Sequence, residues 1–289
     1  MEPENPLLYC GEYYDAESGF IYLRNRYYDP SIGRFITEDP VRDGTNWYVY
    51  CENNPVMFID RSGLKPTVEE AALMADHIYT HNQYDNIEDR KVKGGWRLID
   101  VYEDKEGLRI GIYVRGDGEH STYTGSKEYA LVNEGTEFTS VKDWENNWEA
   151  YTGYESLDVW ESTFFSKYFA KNHVDTEITF VGHSKGGFEA SMNAYNTNNN
   201  AIVFNPTPAE PGYYEANVGT PFTKEITAYI VKGEILNVQL GNPKIGTRIF
   251  LSRQHGWSDK PGLKNQINNH MMSAVLSALD QDGYSKVGP

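Results

Sequence analysis

The stretch "ITFVGHSKGGFEAS", residues 178–191, combines an apolar run, a glycine-rich turn and a segment with helical character. Glycines on both sides of Ser184 let the backbone turn sharply, so that the serine hydroxyl stands at the end of the strand. A purely structural glycine turn does not require serine at its apex. The stretch therefore predicts a strand–turn–helix nucleophile elbow, with Ser184 as the candidate catalytic nucleophile.

A serine hydroxyl is a poor nucleophile at neutral pH and needs a histidine base that an acid orients. The order serine, acid, histidine accompanies such elbows, and only His255 and His270 follow Ser184. His270 directly precedes the apolar helical stretch 271–279, whereas His255 lies in a loop rich in polar residues and glycine. A base should stand on a fixed element, which favours His270 and leaves His255 as the alternative base.

The acid should lie in a loop just beyond a strand. The segment 225–237 contains an alternating apolar strand that ends at Gly233 and Glu234. Asp259, in a polar loop with glycine and proline, is the alternative acid. We favour Glu234.

An oxyanion hole requires two backbone N–H groups near the reacting carbonyl oxygen. Lys185 follows the candidate nucleophile directly and supplies one of them. The second should follow an earlier strand, and the strand-like run 128–135 ends in a Gly135–Thr136 turn. This turn is therefore a candidate position for the second donor.

The chain changes character near residue 65. Residues 1–64 are dense in tyrosine, glycine and turn pairs, a pattern that predicts short antiparallel strands. Thr67 and Glu70 then form a capping box ahead of apolar positions at helical spacing. We therefore divide the chain into a small β domain, 1–64, and a larger domain, 65–289.

Strands and helices alternate through the larger domain. Residues 108–114 and 128–135 have strand character, residues 160–173 have helical character, and the strand and helix around Ser184 follow. This alternation predicts an α/β sheet covered by helices.

Composition excludes several functions. A net charge of −16 over 289 residues repels nucleic-acid phosphates and anionic lipid, so we expect no nucleic-acid partner, and contact with a membrane would need apolar side chains. No run approaches about 20 apolar residues and the first ten residues do not look like a signal peptide, so we expect a cytoplasmic chain until it is exported. His77 and His81 lie a helical turn apart without a third ligand, so we expect no metal site and no cofactor.

The motifs "GHSKGG" and "AIVFNPTP", the Gly135–Thr136 turn and the pair Asp143–Trp144 resemble the class 3 lipases, over roughly residues 70–280. The resemblance implies an α/β-hydrolase fold and hydrolysis of a lipid or small ester. It also implies that Thr136, in the Gly135–Thr136 turn, is the second oxyanion donor. Two positions depart from the family pattern. Glu134 stands where arginine is usual, and Glu234 where the acid is usually aspartate.

The stretches "YYDAESGFIYLRNRYYDPSIGRFITEDP" (13–40) and "NWYVYCENNPVMFIDRSGL" (46–64) resemble the end of the Rhs, or YD-repeat, core of bacterial polymorphic toxins. The resemblance covers nearly all of residues 8–64. It implies a β cage whose boundary with a variable toxin domain falls after Leu64. It further implies delivery as a secreted effector, an immunity protein, and the rest of a cage in a longer homologue.

In that family the core cuts itself with two aspartates, which correspond here to Asp39 and Asp60. Both motifs depart from the family pattern, because Asp39 lacks the following glycine and Arg61 replaces proline after Asp60. Aspartate also favours turns by bonding its own backbone. We therefore interpret both as turn residues and keep autoprocessing as the alternative.

Together these features predict a serine esterase or lipase, a phospholipase-type toxin effector that works through an acyl-enzyme. The alternative from another class is an inactive hydrolase-like binding module carried by an Rhs cage.

Overall fold

The structure is a computed structural model. It describes residues 13–23, 26–38, 48, 66–80, 90–105, 107–116, 127–136, 157–174, 176–208, 222–256 and 262–284.

The N-terminal segment forms a four-stranded antiparallel sheet. Its strands are β1 (Tyr13–Asp15), β2 (Phe20–Leu23), β3 (Arg26–Asp29) and β4 (Arg34–Phe35), each paired with the next. Ile21, Tyr28 and Phe35 form its small core, and the Arg26 guanidinium lies 3.5 Å above the Phe35 ring. The predicted antiparallel β segment is confirmed.

The second sheet has eight strands that follow one another in sequence order. They are β5 (Lys91–Val92), β6 (Trp96–Glu103), β7 (Arg109–Arg115), β8 (Glu128–Asn133), β9 (Glu177–His183), β10 (Asn200–Phe204), β11 (Ile226–Val231) and β12 (Thr247–Leu251). Strands β5 to β8 pair antiparallel, whereas β8 to β12 pair parallel. The parallel strands place their carboxyl ends along one edge, where ligands bind in α/β proteins.

The described helices are α1 (Val68–His77), α2 (Leu157–Asn172), α3 (Lys185–Thr197), α4 (Ile235–Leu240), α5 (Leu263–His270) and α6 (Met272–Gln281). Helices α1 and α6 cover one face of the sheet, where Met74, Ile78 and Val275 join the core. Helices α2 and α3 cover the opposite face, where Phe169, Ala190 and Ala194 are buried. An apolar core on each face of this mixed sheet, covered by helices, confirms the predicted α/β-hydrolase fold.

The N-terminus of α1 is fixed to the sheet by a buried ionic cluster. The predicted capping box is present, with Glu70 accepting from the Thr67 backbone N–H at 2.9 Å. The Glu70 carboxylate also accepts from Arg115 at 3.1 Å and from the Trp96 indole at 3.1 Å. Arg115 donates to Glu128 as well. Both buried carboxylates therefore have a cationic partner, and the start of α1 is bonded to residues of β6 and β7.

The glycines around Ser184 permit close backbone contacts. A Cβ on Gly182 would lie 2.2 Å from the Gly186 carbonyl oxygen, and one on Gly186 would lie 2.3 Å from the Asn133 carbonyl oxygen. Helix α3 therefore begins directly against the ends of β8 and β9. Only glycine allows this approach.

Gly186→Ala is expected to destabilise the protein, although alanine normally favours a helix. The added Cβ meets backbone atoms that cannot move independently, so we expect the free energy of unfolding to fall by about 2 kcal/mol or more. Chemical denaturation measures it. Gly262→Ala is the matched control, because a Cβ there meets nothing within 4 Å and its φ is −59°. Equal stability of the two variants would contradict the close packing.

Within the described ranges, no helix combines the length and apolar character needed to cross a membrane.

Candidate active site

Ser184 occupies the tight turn between β9 and α3. Its φ of 57° and ψ of −124° place a non-glycine residue in a strained region, and its side chain is buried. Its N–H donates to the Phe204 carbonyl at 3.1 Å, and its own carbonyl accepts from Thr207 N–H at 3.0 Å. Two hydrogen bonds to the end of β10 and the residues that follow it therefore hold the strained backbone of Ser184 in place.

His270 ends helix α5 and lies against Ser184. Its Nε2 is 2.9 Å from Ser184 Oγ, and the imidazole is fully buried. Burial lowers the pKa of His270 to about 3, so the ring is neutral near pH 7 and its nitrogen lone pair is available.

Glu234 follows β11 and caps the N-terminus of α4. Its Oε2 lies 2.8 Å from His270 Nδ1, and its carboxylate accepts from the N–H groups of Leu236, at 2.9 Å, and Asn237. Burial raises the pKa of Glu234 to about 8, and the N–H groups of Asn237 and Leu236 partly offset this effect. When the carboxylate is ionised, it accepts the Nδ1 proton of His270 and leaves Nε2 to accept from the Ser184 hydroxyl.

The Gly135–Thr136 turn follows β8 beside the serine. A Cβ on Gly135 would lie 3.3 Å from the Ser184 Cβ and 2.5 Å from the His183 carbonyl oxygen. Lys185 begins α3 on the other side of Ser184. Gly135, which precedes the predicted donor Thr136, and the predicted donor Lys185 therefore both lie beside Ser184.

The competing residues are placed elsewhere or lie outside the described ranges. His255 is exposed in the loop after β12, where its N–H donates to Asn269 Oδ1 at 2.7 Å and its carbonyl accepts from Asn269 Nδ2 at 2.9 Å. Asp259, Asp39 and Asp60 lie outside the described residues, as do Leu64, Lys65 and the pair Asp143–Trp144. It is His270, and not His255, that the structure brings to Ser184.

The sequence did not predict a buried series of hydrogen bonds, from Tyr79 through His183, that ends at the backbone carbonyl of His270. His183 Nε2 lies 2.7 Å from the His270 carbonyl oxygen, and its Nδ1 lies 2.9 Å from Tyr79 Oη. A carbonyl can only accept, so His183 Nε2 carries the proton and Nδ1 accepts from the tyrosine hydroxyl. Burial, followed by the neighbouring His270, lowers the pKa of His183 to about 3, which keeps this tautomer neutral.

Asn205 is a second hydrogen-bond donor to the His270 carbonyl. Its Nδ2 donates to the His270 carbonyl at 2.9 Å and to the Asn269 carbonyl at 3.2 Å, while its Oδ1 accepts from Val231 N–H at 2.8 Å. Asn205 directly follows β10 and has a φ of 39°, a conformation that asparagine tolerates better than most residues. The end of β10 thus connects the base to the strand that precedes the acid.

The variant Tyr79→Phe tests the hydrogen bonds that connect Tyr79, His183 and the His270 carbonyl. The change leaves the buried Nδ1 of His183 without its donor, so we expect the free energy of unfolding to fall by about 1–2 kcal/mol. The imidazole of His270 keeps its other contacts, so any esterase activity should fall by about tenfold or less. Thermal unfolding and ester turnover measure the two effects. The control is Tyr168→Phe, whose ring is 65% exposed; an equal loss of stability in both variants would contradict the role of Tyr79.

Glu134, which departs from the lipase pattern, is paired with a cation. Its Oε2 lies 3.1 Å from Nη1 of Arg109, which lies on the adjacent strand β7, and its side chain is largely buried. The pairing neutralises the negative charge close to the Gly135–Thr136 turn. Among the described residues, no group of three or more histidine, cysteine, aspartate or glutamate side chains is arranged to bind a metal ion.

A family model, the Tle-like phospholipase domain, matches residues 70–275, which is most of the chain. This range includes every residue of the site described above.

Curated relatives match shorter stretches. The uncharacterized protein YlbH of Escherichia coli (strain K12) is 38% identical over 102 residues, 35% of this chain and 39% of YlbH. Toxin protein Tse5 of Pseudomonas aeruginosa is 43% identical over 61 residues, 20% of this chain and 5% of Tse5. The chain therefore spans well under half the length of these relatives.

Solved lipases resemble the structure at low sequence identity. A triacylglycerol lipase from Penicillium expansum has 14% identity and a TM-score of 0.40, with 71% of this chain and 87% of the lipase covered. The Rhizomucor miehei lipase propeptide complex has 13% identity and a TM-score of 0.40, with 63% and 66% covered.

Proposed function

The chain belongs to the Tle-like phospholipase domain family, and from this premise we propose that it is a serine esterase that cleaves carboxylic ester bonds of phospholipids through an acyl-enzyme. The observation that carries the proposal is the chain of contacts from Ser184 through His270 to Glu234, at 2.9 and 2.8 Å. Nucleophile, base and acid have the mutual distances that acyl transfer by a serine requires.

In the first half-reaction, Ser184 Oγ attacks the ester carbonyl carbon while its proton passes to His270 Nε2. The Glu234 carboxylate stabilises the imidazolium that forms, and the backbone N–H groups of Thr136 and Lys185 bind the developing oxyanion. Collapse of the tetrahedral intermediate breaks the bond to the alcohol oxygen. That oxygen takes the proton from His270, and the acyl group remains on Ser184.

In the second half-reaction, water replaces the alcohol. His270 accepts a proton from the water molecule, and the resulting hydroxide attacks the acyl carbon. Return of the proton to Ser184 Oγ releases the carboxylic acid and regenerates the free enzyme. No metal or cofactor takes part in this scheme.

The toxin role is a further part of the proposal. Relatives that match about a fifth of this chain include a protein named as a toxin, Tse5, and the double-stranded DNA deaminase toxin A of Burkholderia cenocepacia, 43% identical over 63 residues. Because these matches are short, the phospholipase model covers residues 70–275, and residues 8–64 resemble an Rhs core, we propose that the shared part is the N-terminal segment and that it carries different toxin domains in different proteins. Residues 8–64 would then be the end of an Rhs core and 65–289 the toxin domain, with an immunity protein in the producing cell.

The substrate is tested by assaying purified protein on a short-chain soluble ester and on diacyl phospholipid vesicles, with Ser184→Ala as the background control. We expect release of fatty acid from phospholipid by the wild-type chain alone. Equal release by both proteins would contradict the proposal, and would favour the alternative of an inactive hydrolase-like binding module.

The esterase activity should increase with pH. The base-competent form requires neutral His270 and ionised Glu234, and burial raises the pKa of Glu234 to about 8. Below that pH the pair holds one additional proton, so kcat/KM should rise by about tenfold per pH unit and level off above the pKa. A pH–rate profile on a soluble ester measures this. In Glu234→Gln, which cannot ionise at that position, the rise should disappear; the same profile in both proteins would contradict the assignment.

A further inference from the structure

Helix α2 exposes an unusual row of aromatic side chains. Trp160, Phe164 and Tyr168 are 78%, 74% and 65% exposed, and their spacing of four residues places them on one face. They lie along about 12 Å of helix, from the 1.5 Å rise per residue. Large contiguous apolar surfaces of this kind mark sites of interaction with a membrane or another molecule.

The core does not need this face. The opposite side of α2 packs against the sheet and α3, where Val159, Ser162, Ser166 and Phe169 are buried. The buried side of α2 already provides its contacts with the sheet and α3, and the three aromatic rings on the outer side do not take part in those contacts. Their exposure requires a separate explanation.

The same exposed face is basic. Lys167 and Lys171 are exposed, and each lies three residues beyond one of the aromatic side chains, Phe164 and Tyr168 respectively. Glu161, the acidic residue on the helix whose side chain the structure describes, is half-buried at the margin of this face. Two cations among three aromatic rings stand out in a chain of net charge −16, which as a whole repels anionic lipid.

The N-terminal half of α2 lies beside the candidate active site. Asn133, the last residue of β8, donates from Nδ2 to Ser162 Oγ at 2.8 Å. Asn133 is two residues before Gly135, whose backbone adjoins Ser184. The N-terminal half of α2, which bears Trp160 and Phe164 on its outer side, therefore lies at the same edge of the sheet as the serine.

We propose that this face, Trp160, Phe164, Lys167, Tyr168 and Lys171, docks the protein onto a phospholipid surface that contains anionic headgroups. Tryptophan and tyrosine favour the boundary between acyl chains and headgroups, because their rings are apolar and their N–H and O–H groups remain hydrated. The lysines attract anionic headgroups and hold the helix parallel to the surface. The proposal deepens the proposed function, since it identifies how a phospholipid-cleaving site reaches its substrate.

Docking is tested separately from catalysis with the full chain carrying Ser184→Ala. Its co-sedimentation with vesicles of phosphatidylcholine and phosphatidylglycerol is compared with that of the same chain carrying Trp160→Ala, Phe164→Ala and Tyr168→Ala. We expect the triple change to weaken partitioning by about tenfold or more. Lys167→Glu with Lys171→Glu should weaken it by a similar factor on these vesicles and far less on pure phosphatidylcholine. Phe250→Ala, which removes a ring that is 42% exposed on β12, is the matched control and should change nothing.

The same aromatic changes in the active chain should leave turnover of a soluble short-chain ester within about twofold of wild type. Unchanged vesicle binding by the triple variant would overturn the docking proposal. So would a failure of the parent chain to bind vesicles, or its self-association through this face in light scattering. A chain that binds vesicles but turns over no ester would instead contradict the proposed function and leave docking standing.

Discussion

Replacing His270 with alanine is expected to lower kcat/KM for a soluble ester by about 10⁴-fold or more, to the level of Ser184→Ala. The imidazole Nε2 is 2.9 Å from Ser184 Oγ, and no other described side chain replaces it there as a base. Nucleophile and base act as one unit, so the double variant should be hardly less active than either single variant. Steady-state kinetics of the three variants measure this.

His255→Ala is the matched control for this prediction. The residue is exposed in a loop, and its backbone contacts to Asn269 do not depend on the imidazole. Its removal should therefore cost about tenfold or less in kcat/KM. If His255→Ala were as inactive as Ser184→Ala while His270→Ala stayed near wild type, the assigned base would be wrong.

Glu234→Gln should lower kcat/KM by about 10³- to 10⁴-fold. Glutamine can donate to His270 Nδ1, which would stabilise the tautomer whose Nε2 already carries a proton. It also removes the negative charge that stabilises the imidazolium 2.8 Å away. The loss should appear mainly in kcat, because the substrate does not contact this side chain directly in the proposed mechanism.

Glu234 also caps α4, so a loss of activity needs to be separated from a loss of structure. Glu234→Asp keeps the charge and is a favourable N-cap, but its carboxylate is one methylene further from His270. We expect its activity to lie between wild type and Glu234→Gln, with both variants retaining a cooperative thermal transition. Equal activity of the glutamine variant and the wild type would show that the acid is another residue, with Asp259 the first to test.

The nucleophile elbow at Ser184 and its partners His270 and Glu234 could be predicted from the sequence, because short local patterns indicate each of them. Glycines around Ser184 report the tight turn, and the apolar strands before Gly135 and Glu234 place each candidate at a strand end. The structure places Ser184, His270 and Glu234 in contact, as those signals suggested. The catalytic roles themselves stay predictions until the variants are measured.

Other elements gave weaker local signals. Strand β6 has a register shift between Leu98 and Asp100, which interrupts the alternation of buried and exposed residues. Strand β12 is half-exposed at the edge of the sheet, and helix α5 is mostly polar. Helix α5 has apolar residues at helical spacing, Leu263 and Ile267, but it is short and polar elsewhere, so all three elements give weak sequence signals.

The support of His270 could not be predicted from spacing. Tyr79 and His183 are 104 residues apart, and Asn205 lies 65 residues before His270. These residues come into contact only in the folded protein, when the helices pack on the sheet. Only the position of Asn205, a short polar residue directly after a strand, could have drawn attention to it.

The central claim, that Ser184 is an activated nucleophile, is tested most directly by labelling the purified chain with a fluorophosphonate and locating the adduct by peptide mass spectrometry. We predict one adduct, on the peptide that contains Ser184, with labelling abolished in Ser184→Ala and slowed by about 10³-fold or more in His270→Ala. The other serine residues and the tyrosine residues should remain unmodified at the same reagent concentration. A folded wild-type chain that does not label, or one that labels equally after Ser184→Ala, would contradict the account.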